Sequence, residues 1–461
     1  MKSSPGRHPA SFRDPNGFLF RRDGILYRQV NQRYRENYQA LMQALYIDLV
    51  DEDLLIPHTE VEIEPADPAD SFRVLQPEPI PFLTYPYEWS FAQLKDAALA
   101  TLAIQERALA AGMTLKDASA YNIQFHKGRP ILIDTLSFES RVEGEPWVAY
   151  RQFCQHFLAP LALMALKDIR LGQFLRLYID GVPLDLAASL LPRRTLLNFG
   201  LLVHLHIHAG AQRRFAGREV KSQDRRGAVG ERSMQGMVEN LRGTIQGLKW
   251  QAAGSWSDYY DFHSYDETAF DHKQQLVSEF LEAVSPESAL DLGANQGVFS
   301  RLASERGAFT VSADIDPGAV QRNYLHMKKQ GEENLLPMLI DLTNPSPALG
   351  WAHQERESLM ARGDFDVTMA LALVHHLAIS NNLPLPLLAN FFAELSPWLI
   401  IEFVPKSDGQ VQKLLASRED IFEDYHQEDF EAAFKRKFKI KKGQRIEGMD
   451  RTLYLLERAT T

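Results

Sequence analysis

The stretch that most constrains this chain is Ser288-Ala289-Leu290-Asp291-Leu292-Gly293-Ala294-Asn295-Gln296-Gly297-Val298-Phe299-Ser300. A short apolar run carries an acid near its end, a glycine-bearing turn follows, and a helical pattern then continues to about Arg306. This order predicts a strand, a tight loop and a helix in an open α/β sheet, where ligands bind beyond the carboxyl ends of the strands. Gly293 permits a tight turn, and Gly297 permits close approach of backbone to a ligand. The full G-x-G-x-x-G pattern is absent, because Asn295 stands where its second glycine would be. A pyrophosphate therefore has less bare backbone to rest on.

Further elements follow in order. Phe309 to Pro317 reads as a second strand ending in acids. Asp314 directly follows the apolar alternation, about 20 residues beyond the loop, where an acid accepts hydrogen bonds from ribose hydroxyls. Asp316 reads as a helix cap, with Pro317 at the first helical position. Leu336 to Leu342 gives a third strand with Asp341 at its end, Phe365 to Leu377 a fourth that runs into His375 and His376, and Leu399 to Pro405 a fifth that carries Glu402. A closing hairpin pairs a strand near Phe438 to Ile440 with Thr452 to Leu456.

From about Trp256 onward these matches resemble the class I S-adenosylmethionine-dependent methyltransferases. The resemblance implies a Rossmann-like α/β domain, mostly parallel, with an antiparallel final strand. It implies S-adenosyl-L-methionine as cofactor, held by Asp291, Gly293, Asn295 and Gly297 around its methionine and ribose part. Asp314 would take the ribose and Asp341 the adenine amino group. At the acceptor side, His375 or His376 is a candidate base, since histidine titrates near neutral pH. The alternative is a His-His-Leu that only ends the strand and packs on the loop. Glu402 is a candidate for orienting the acceptor, or else pairs with Lys406 or caps a helix.

The front half carries a second informative order: Asp117, four residues, Asn122, a hairpin turning at Lys127-Gly128, and Asp134 after the apolar run Ile131-Leu132-Ile133. It resembles the catalytic loop and metal-binding acid of protein kinases and aminoglycoside phosphotransferases. By that resemblance Asp117 would be the base of an α+β kinase-like domain, and Asn122 and Asp134 would hold magnesium with ATP. The departures are specific. Leu115-Lys116 replace the His-Arg pair, Thr135-Leu136 replace Phe-Gly, and no glycine-rich phosphate loop surrounds Gly17. Arg28 stands nearest the place of the phosphate-binding lysine, with Glu36 as its possible partner, and arginine is a poor substitute there. A kinase-shaped domain with little or no activity is the leading reading, ahead of an active small-molecule or sugar kinase and of an unrelated fold. The whole arrangement resembles a bacterial group of two-domain proteins, some named for nodulation host specificity.

Gly17 to Val30 predicts a hairpin turning at Asp23-Gly24, and Tyr34, Tyr38, Met42 and Leu45 keep one helical face after it. Trp147 to Phe215 reads as helical, with His204, His206 and His208 as a polar patch. Ala216 to Glu231 is basic, rich in glycine and almost without bulky apolar residues. This predicts a kinase-like domain over 1–215, a basic linker over 216–233 and a methyltransferase domain over 234–461. Trp256, Tyr259, Tyr260, Phe262 and Tyr265 are candidates to cover cofactor or acceptor, because a sulfonium is attracted to aromatic faces.

The 461 residues carry a formal net charge of −10, which disfavours broad nucleic-acid binding. One cysteine, Cys154, excludes an internal disulfide. No uninterrupted apolar run reaches the length of a membrane span, and Met1 to Asp14 lacks the long apolar core of a secretory signal. Together these lead us to expect a cytoplasmic protein. The sequence does not name the methyl acceptor, and a carbohydrate or other small hydroxyl compound is expected ahead of protein or RNA. An RNA acceptor, or a kinase with an accessory methyltransferase, is the alternative.

Overall fold

Asp23 and Gly24 both take positive φ, 51° and 80°, and so turn the chain between β1 (Gly17–Arg22) and β2 (Ile25–Asn31). The hairpin opens a computed structural model that describes residues 7–208, 230–251, 267–416 and 419–459. The chain divides into two units. The first is Met1–Gln251 with Ala348–Arg356, and the second is Ala252–Pro347 with Glu357–Thr461.

In the first unit, β1 and β2 join β3 (His58–Glu60) and β4 (Ser71–Pro77) in an antiparallel sheet of order β1-β2-β4-β3. The helix Arg35–Ala44 lies between β2 and β3 in sequence. Its stripe packs as the spacing predicts, with Tyr34 and Tyr38 clustered on Val30, Leu75 and Leu136. The helix Phe91–Ala110 is started by Ser90, which accepts from the Gln93 amide, and ends before Gly112 at φ 72°. The pairs β5 (Met113–Leu115) with β8 (Phe138–Ser140) and β6 (Ile123–His126) with β7 (Arg129–Leu132) follow. In the described part of Trp147 to Phe215, residues 150–166 form one continuous helical run with a π-turn at Cys154–Leu158; shorter helices follow, with Pro183 and Pro192 at the starts of two of them and a second π-turn at Leu202–Ile207.

The helix Glu231–Gly247 corrects the expected boundary. It belongs to the first unit, where Met234, Val238, Leu241 and Ile245 are buried. Lys95 Nζ donates to the carbonyls of Gln246 and Leu248 at 2.9 and 2.8 Å. The apolar stripe that suggested a lead into the second domain is the stripe that buries it in the first. Residues 216–229 of the predicted linker, and Trp256, Tyr259, Tyr260, Phe262 and Tyr265, lie outside the described residues.

The second unit is built on a seven-stranded sheet. Its strands are β9 (Ser288–Leu292), β10 (Phe309–Asp314), β11 (Leu335–Leu339), β12 (Val367–Ala370), β13 (Trp398–Phe403), β14 (Phe438–Arg445) and β15 (Thr452–Arg458). The order is β11-β10-β9-β12-β13-β15-β14, and β15 runs antiparallel to both its neighbours. Such a sheet must be covered on both faces. Val277 and Phe280 of the helix Glu267–Val284 pack with Ala289, Val367, Met369 and Ile400 on one of them.

The fourth strand is shorter than the apolar run suggests. It ends at Ala370, Ala372 turns at φ 49°, and His376–Ser380 forms a π-turn. The two histidines therefore sit on the turn after the strand, not on the strand.

Candidate functional site

Strand β9 lies between β10 and β12, and the chain leaves it on one side for β10 and returns on the other as β12. A crevice opens at the carboxyl ends of strands where order reverses in this way. A cavity of about 380 Å³ occupies it. Its wall includes Asp291, Gly293, Asn295, Asp314, Asp316, Asp341, Lys273 and His376.

The loop after β9 is held from several sides. The Gly293 and Ala294 amides both donate to the Ala313 carbonyl, at 2.9 and 3.0 Å. Gly293 has φ 77°, and a Cβ there would lie 3.2 Å from Leu373 Cδ1. Asn295 also takes a positive φ, 50°, and its amide donates to Asp314 Oδ2 at 2.7 Å. Gly297 differs from expectation, because it is absent from the cavity wall. A Cβ on it would fall 2.6 Å from Asn323 Nδ2 and 2.9 Å from Arg301 Nη1, so packing behind the loop requires the glycine. Arg301 pins that rear side, donating to the Gln296 carbonyl at 2.8 Å while pairing with Glu332.

The acids have distinct surroundings. Asp291 is fully buried, and Ser300 Oγ donates to its Oδ2 at 2.6 Å. Burial, more than the nearby Asp314 charge, pushes its carboxyl up to about 7. Asp314 accepts the Asp316 amide on Oδ1 at 2.8 Å as well as the Asn295 amide. Burial raises its carboxyl too. Asp316 caps the helix Pro317–Gln330 as the sequence predicts, accepting the Gly318 amide on Oδ1 at 2.7 Å. Its Oδ2 is buried without a hydrogen-bond partner among the described residues. A buried acceptor left so is costly, and ribose hydroxyls facing Asp314 and Asp316 would supply the missing donor. Asp341 ends the third strand region and accepts from the Thr343 amide and hydroxyl at 2.8 and 2.7 Å.

Of the two histidines, only His376 lines the cavity. His375 is buried behind it, with ring centroids 4.2 Å apart and its Nδ1 without a partner among the described residues. Burial lowers the pKa of both rings. Glu402 is neither in the wall nor paired with Lys406, which binds Asp420. It is fully buried and accepts from Lys273 Nζ at 2.6 Å, the Ala372 amide at 2.9 Å and Arg451 Nη1 at 3.4 Å. Its place as an acceptor-orienting group is thereby corrected: both carboxylate oxygens are spent inside the protein.

Lys273 was missed by the sequence reading. It is 2% exposed, lies 4.7 Å above the Phe299 ring and lines the cavity. The available signal was a lysine four residues after Ala269 and four before Val277, on the apolar stripe of a helix.

In the first unit Asp117, Asn122 and Asp134 come together. Asp117 Oδ1 accepts from the Ser119 amide and Gln152 Nε2 at 3.0 and 2.8 Å, and burial raises its carboxyl. Asn122 Nδ2 lies 3.4 Å from Ser137 Oγ, which donates to Asp134 Oδ2 at 2.6 Å. Arg28 forms an ion pair with Asp134, not with Glu36, which is exposed. Although burial opposes it, the Arg28 and Ser137 contacts hold the Asp134 carboxyl low. The expected magnesium does not fit this arrangement, because a guanidinium stands at the acid that would ligate it. No cluster of three or more His, Cys, Asp or Glu suited to a metal occurs among the described residues. Gly17 is explained by packing, since a Cβ there would meet the Gln29 carbonyl oxygen and Leu136. Nearby, Glu355 of the Ala348–Arg356 segment takes a two-pronged hydrogen bond from Arg13, at 2.9 and 2.8 Å, and Arg356 lies 4.2 Å over the Tyr121 ring.

The strand order, the antiparallel β15 and the acids at the carboxyl ends of β9, β10 and β11 are those of a class I S-adenosylmethionine-dependent methyltransferase. No family model matches the chain. It is 37% identical over 462 residues to nodulation protein NoeA of Rhizobium meliloti (strain 1021), covering 99% of this chain and 97% of that protein. The chain belongs to the NoeA family. Among solved structures it is similar to WbdD, with 16% identity and a TM-score of 0.31 over 45% of this chain and 44% of that one. It spans less than half the length of WbdD. It is also similar to magnesium protoporphyrin IX methyltransferase (ChlM) from Synechocystis PCC 6803, with 18% identity and a TM-score of 0.32 over 44% and 93% of the two chains. For the N-methyltransferase NodS from Bradyrhizobium japonicum WM9 the values are 10%, 0.33, 42% and 99%.

Proposed function

We propose that the protein transfers the methyl group of S-adenosylmethionine to a hydroxyl of a carbohydrate or other small acceptor. The observation that carries this reading is the cavity wall: acids stand along one stretch of the sheet edge and a single histidine, His376, at the turn after β12. The bound cofactor supplies an electrophilic methyl on a sulfonium. The protein's own work is alignment and exclusion of water. Asp314, Asp316 and Asp341 orient the nucleoside, and the loop at Gly293 fixes its depth. His376, kept neutral by burial and by the Arg451 charge, takes the proton from the acceptor hydroxyl as the methyl group moves. His375 supports its ring from behind.

The first unit is, in this reading, kinase-shaped and does not transfer phosphate. The order β1–β2, helix Arg35–Ala44, β3–β4 and helix Phe91–Ala110, then the Asp117–Asn122–Asp134 group, supports the likeness. The Arg28 pair at Asp134 supports the inactivity. No helix among the described residues is long and apolar enough to cross a membrane, and a cytoplasmic place remains part of this proposal. The test is a screen of cell-extract fractions with methyl-labelled cofactor. Label in carbohydrate or small-molecule fractions is expected, and label in RNA alone would overturn the acceptor class.

A further inference from the structure

The cavity wall has a charge polarity that the cofactor loop does not explain. Four aspartates line it, Asp291, Asp314, Asp316 and Asp341, and one lysine, Lys273. The lysine and Asp341 stand at opposite ends. Asp341 follows β11, whereas Lys273 is tied through Glu402 Oε2 to the Ala372 amide just beyond β12. Three strand spacings separate β11 from β12 in the order β11-β10-β9-β12, a span of roughly 14 Å. An extended ligand that places its base at Asp341 therefore ends near Lys273.

The placement of the ammonium is costly and specific. A lysine is almost never fully buried unless paired, and this one is 2% exposed on a helix face otherwise packed into the core. Glu402 satisfies it, and Glu402 is itself held by the Ala372 amide and by Arg451, whose Nε binds Asp408 at 2.8 Å. A buried chain of two cations and two carboxylates thus fixes one ammonium at one end of an acid-lined cavity. Apolar residues in those places would pack at lower cost.

S-adenosylmethionine carries one anionic group, the carboxylate of its amino-acid end. Resting on the methyltransferase reading above, we propose that Lys273 receives that carboxylate, with Glu402 and Arg451 as positioning residues that hold the lysine in the wall. The same contact selects ligands that keep the amino-acid end over nucleosides that lack it.

The test compares two ligands by calorimetry on the full chain: S-adenosylhomocysteine, which carries the carboxylate, and 5′-methylthioadenosine, which does not. Loss of a charge-assisted hydrogen bond predicts that Lys273→Met binds S-adenosylhomocysteine about tenfold to a hundredfold more weakly. Its affinity for methylthioadenosine should change by less than about threefold. Lys273→Arg should recover part of the loss. The double variant Lys273→Met/Glu402→Gln, which leaves no unpaired carboxylate, should show the same selectivity and serves if the single variant does not fold. Equal weakening of both ligands, or undiminished binding of S-adenosylhomocysteine, would overturn the proposal. A wild-type protein that binds methylthioadenosine as tightly as S-adenosylhomocysteine would overturn it too. If wild type binds neither ligand, the methyltransferase reading itself falls, and this inference with it.

Discussion

Lys273 and Glu402 form a buried ion pair, Nζ to Oε2 at 2.6 Å, between the helix that precedes the sheet and its fifth strand in sequence, β13. Removing one partner of such a pair leaves an uncompensated buried charge. Glu402→Ala is therefore expected to destabilise the second unit by about 3–5 kcal/mol, read by urea unfolding. Glu402→Gln keeps an acceptor for the Ala372 amide and should lose less. Equal stability of all three proteins would show that the pair is not held in solution.

S-adenosylhomocysteine is expected to raise the melting temperature, as any ligand of the folded state does. Gly293→Val should abolish the shift. The residue must adopt φ 77°, which a β-branched side chain resists, and its branches would press on Leu373. Asp316→Ala keeps the fold but removes the unpartnered oxygen at the wall, so a smaller shift is expected. A wild-type melting curve unmoved by saturating ligand would refute the cofactor assignment.

The two histidines should separate. His376→Ala is expected to lower turnover by roughly a hundredfold to ten-thousandfold while cofactor affinity stays near normal. His375→Ala should lower stability, because its ring is buried. Burial keeps the His376 pKa below the ordinary histidine value. The acid limb of the rate profile should accordingly lie below that value, with a plateau through neutral pH. An acid limb above it, or one unchanged in His376→Ala, would remove the histidine from the reaction.

Asp291 gives a stability signature with a defined sign. Its folded pKa, about 7, lies above the ordinary carboxylate value because the group is buried. Between those two values the folded state binds the extra proton, so stability contributed by this group is lost as pH rises toward 7. Asp291→Asn should flatten that slope, measured as melting temperature against pH without cofactor. An unchanged slope in the variant would mean that the carboxyl is better solvated than its surroundings suggest.

In the first unit, ATP hydrolysis at background level is expected with or without magnesium. Arg28→Ala should lower stability rather than unmask activity, since it strands the Asp134 carboxylate beside Ser137. A robust magnesium-dependent phosphate transfer lost in Asp134→Asn would reverse this.

The succession of strands along the chain was legible because each announces itself by an apolar run that ends in an acid or a turn residue. Asp291, Asp314 and Asp341 stand at or just past strand ends, and Gly293 and Asn295 in the loop after β9, positions that local sequence fixes. Glu402 and Lys273 were not, because their pairing spans 129 positions and no local pattern reports it. The turn at Ala372 was hidden by the continuous apolar run through Val374, which hydrophobicity alone extends as a strand. The helix Glu231–Gly247 was placed in the wrong unit because an amphipathic stripe says that a face is buried but not against what.

The Ala348–Arg356 segment bears on how this protein can be cut. It is counted with the first unit, yet the chain on both sides of it belongs to the second. A fragment ending at Gln251 would leave Arg13 without Glu355 and Tyr121 without Arg356. The complementary fragment would carry a nine-residue stretch whose contacts had been deleted. No single scission yields both units whole, so loss or exchange of one half by a simple truncation of the gene would damage the other.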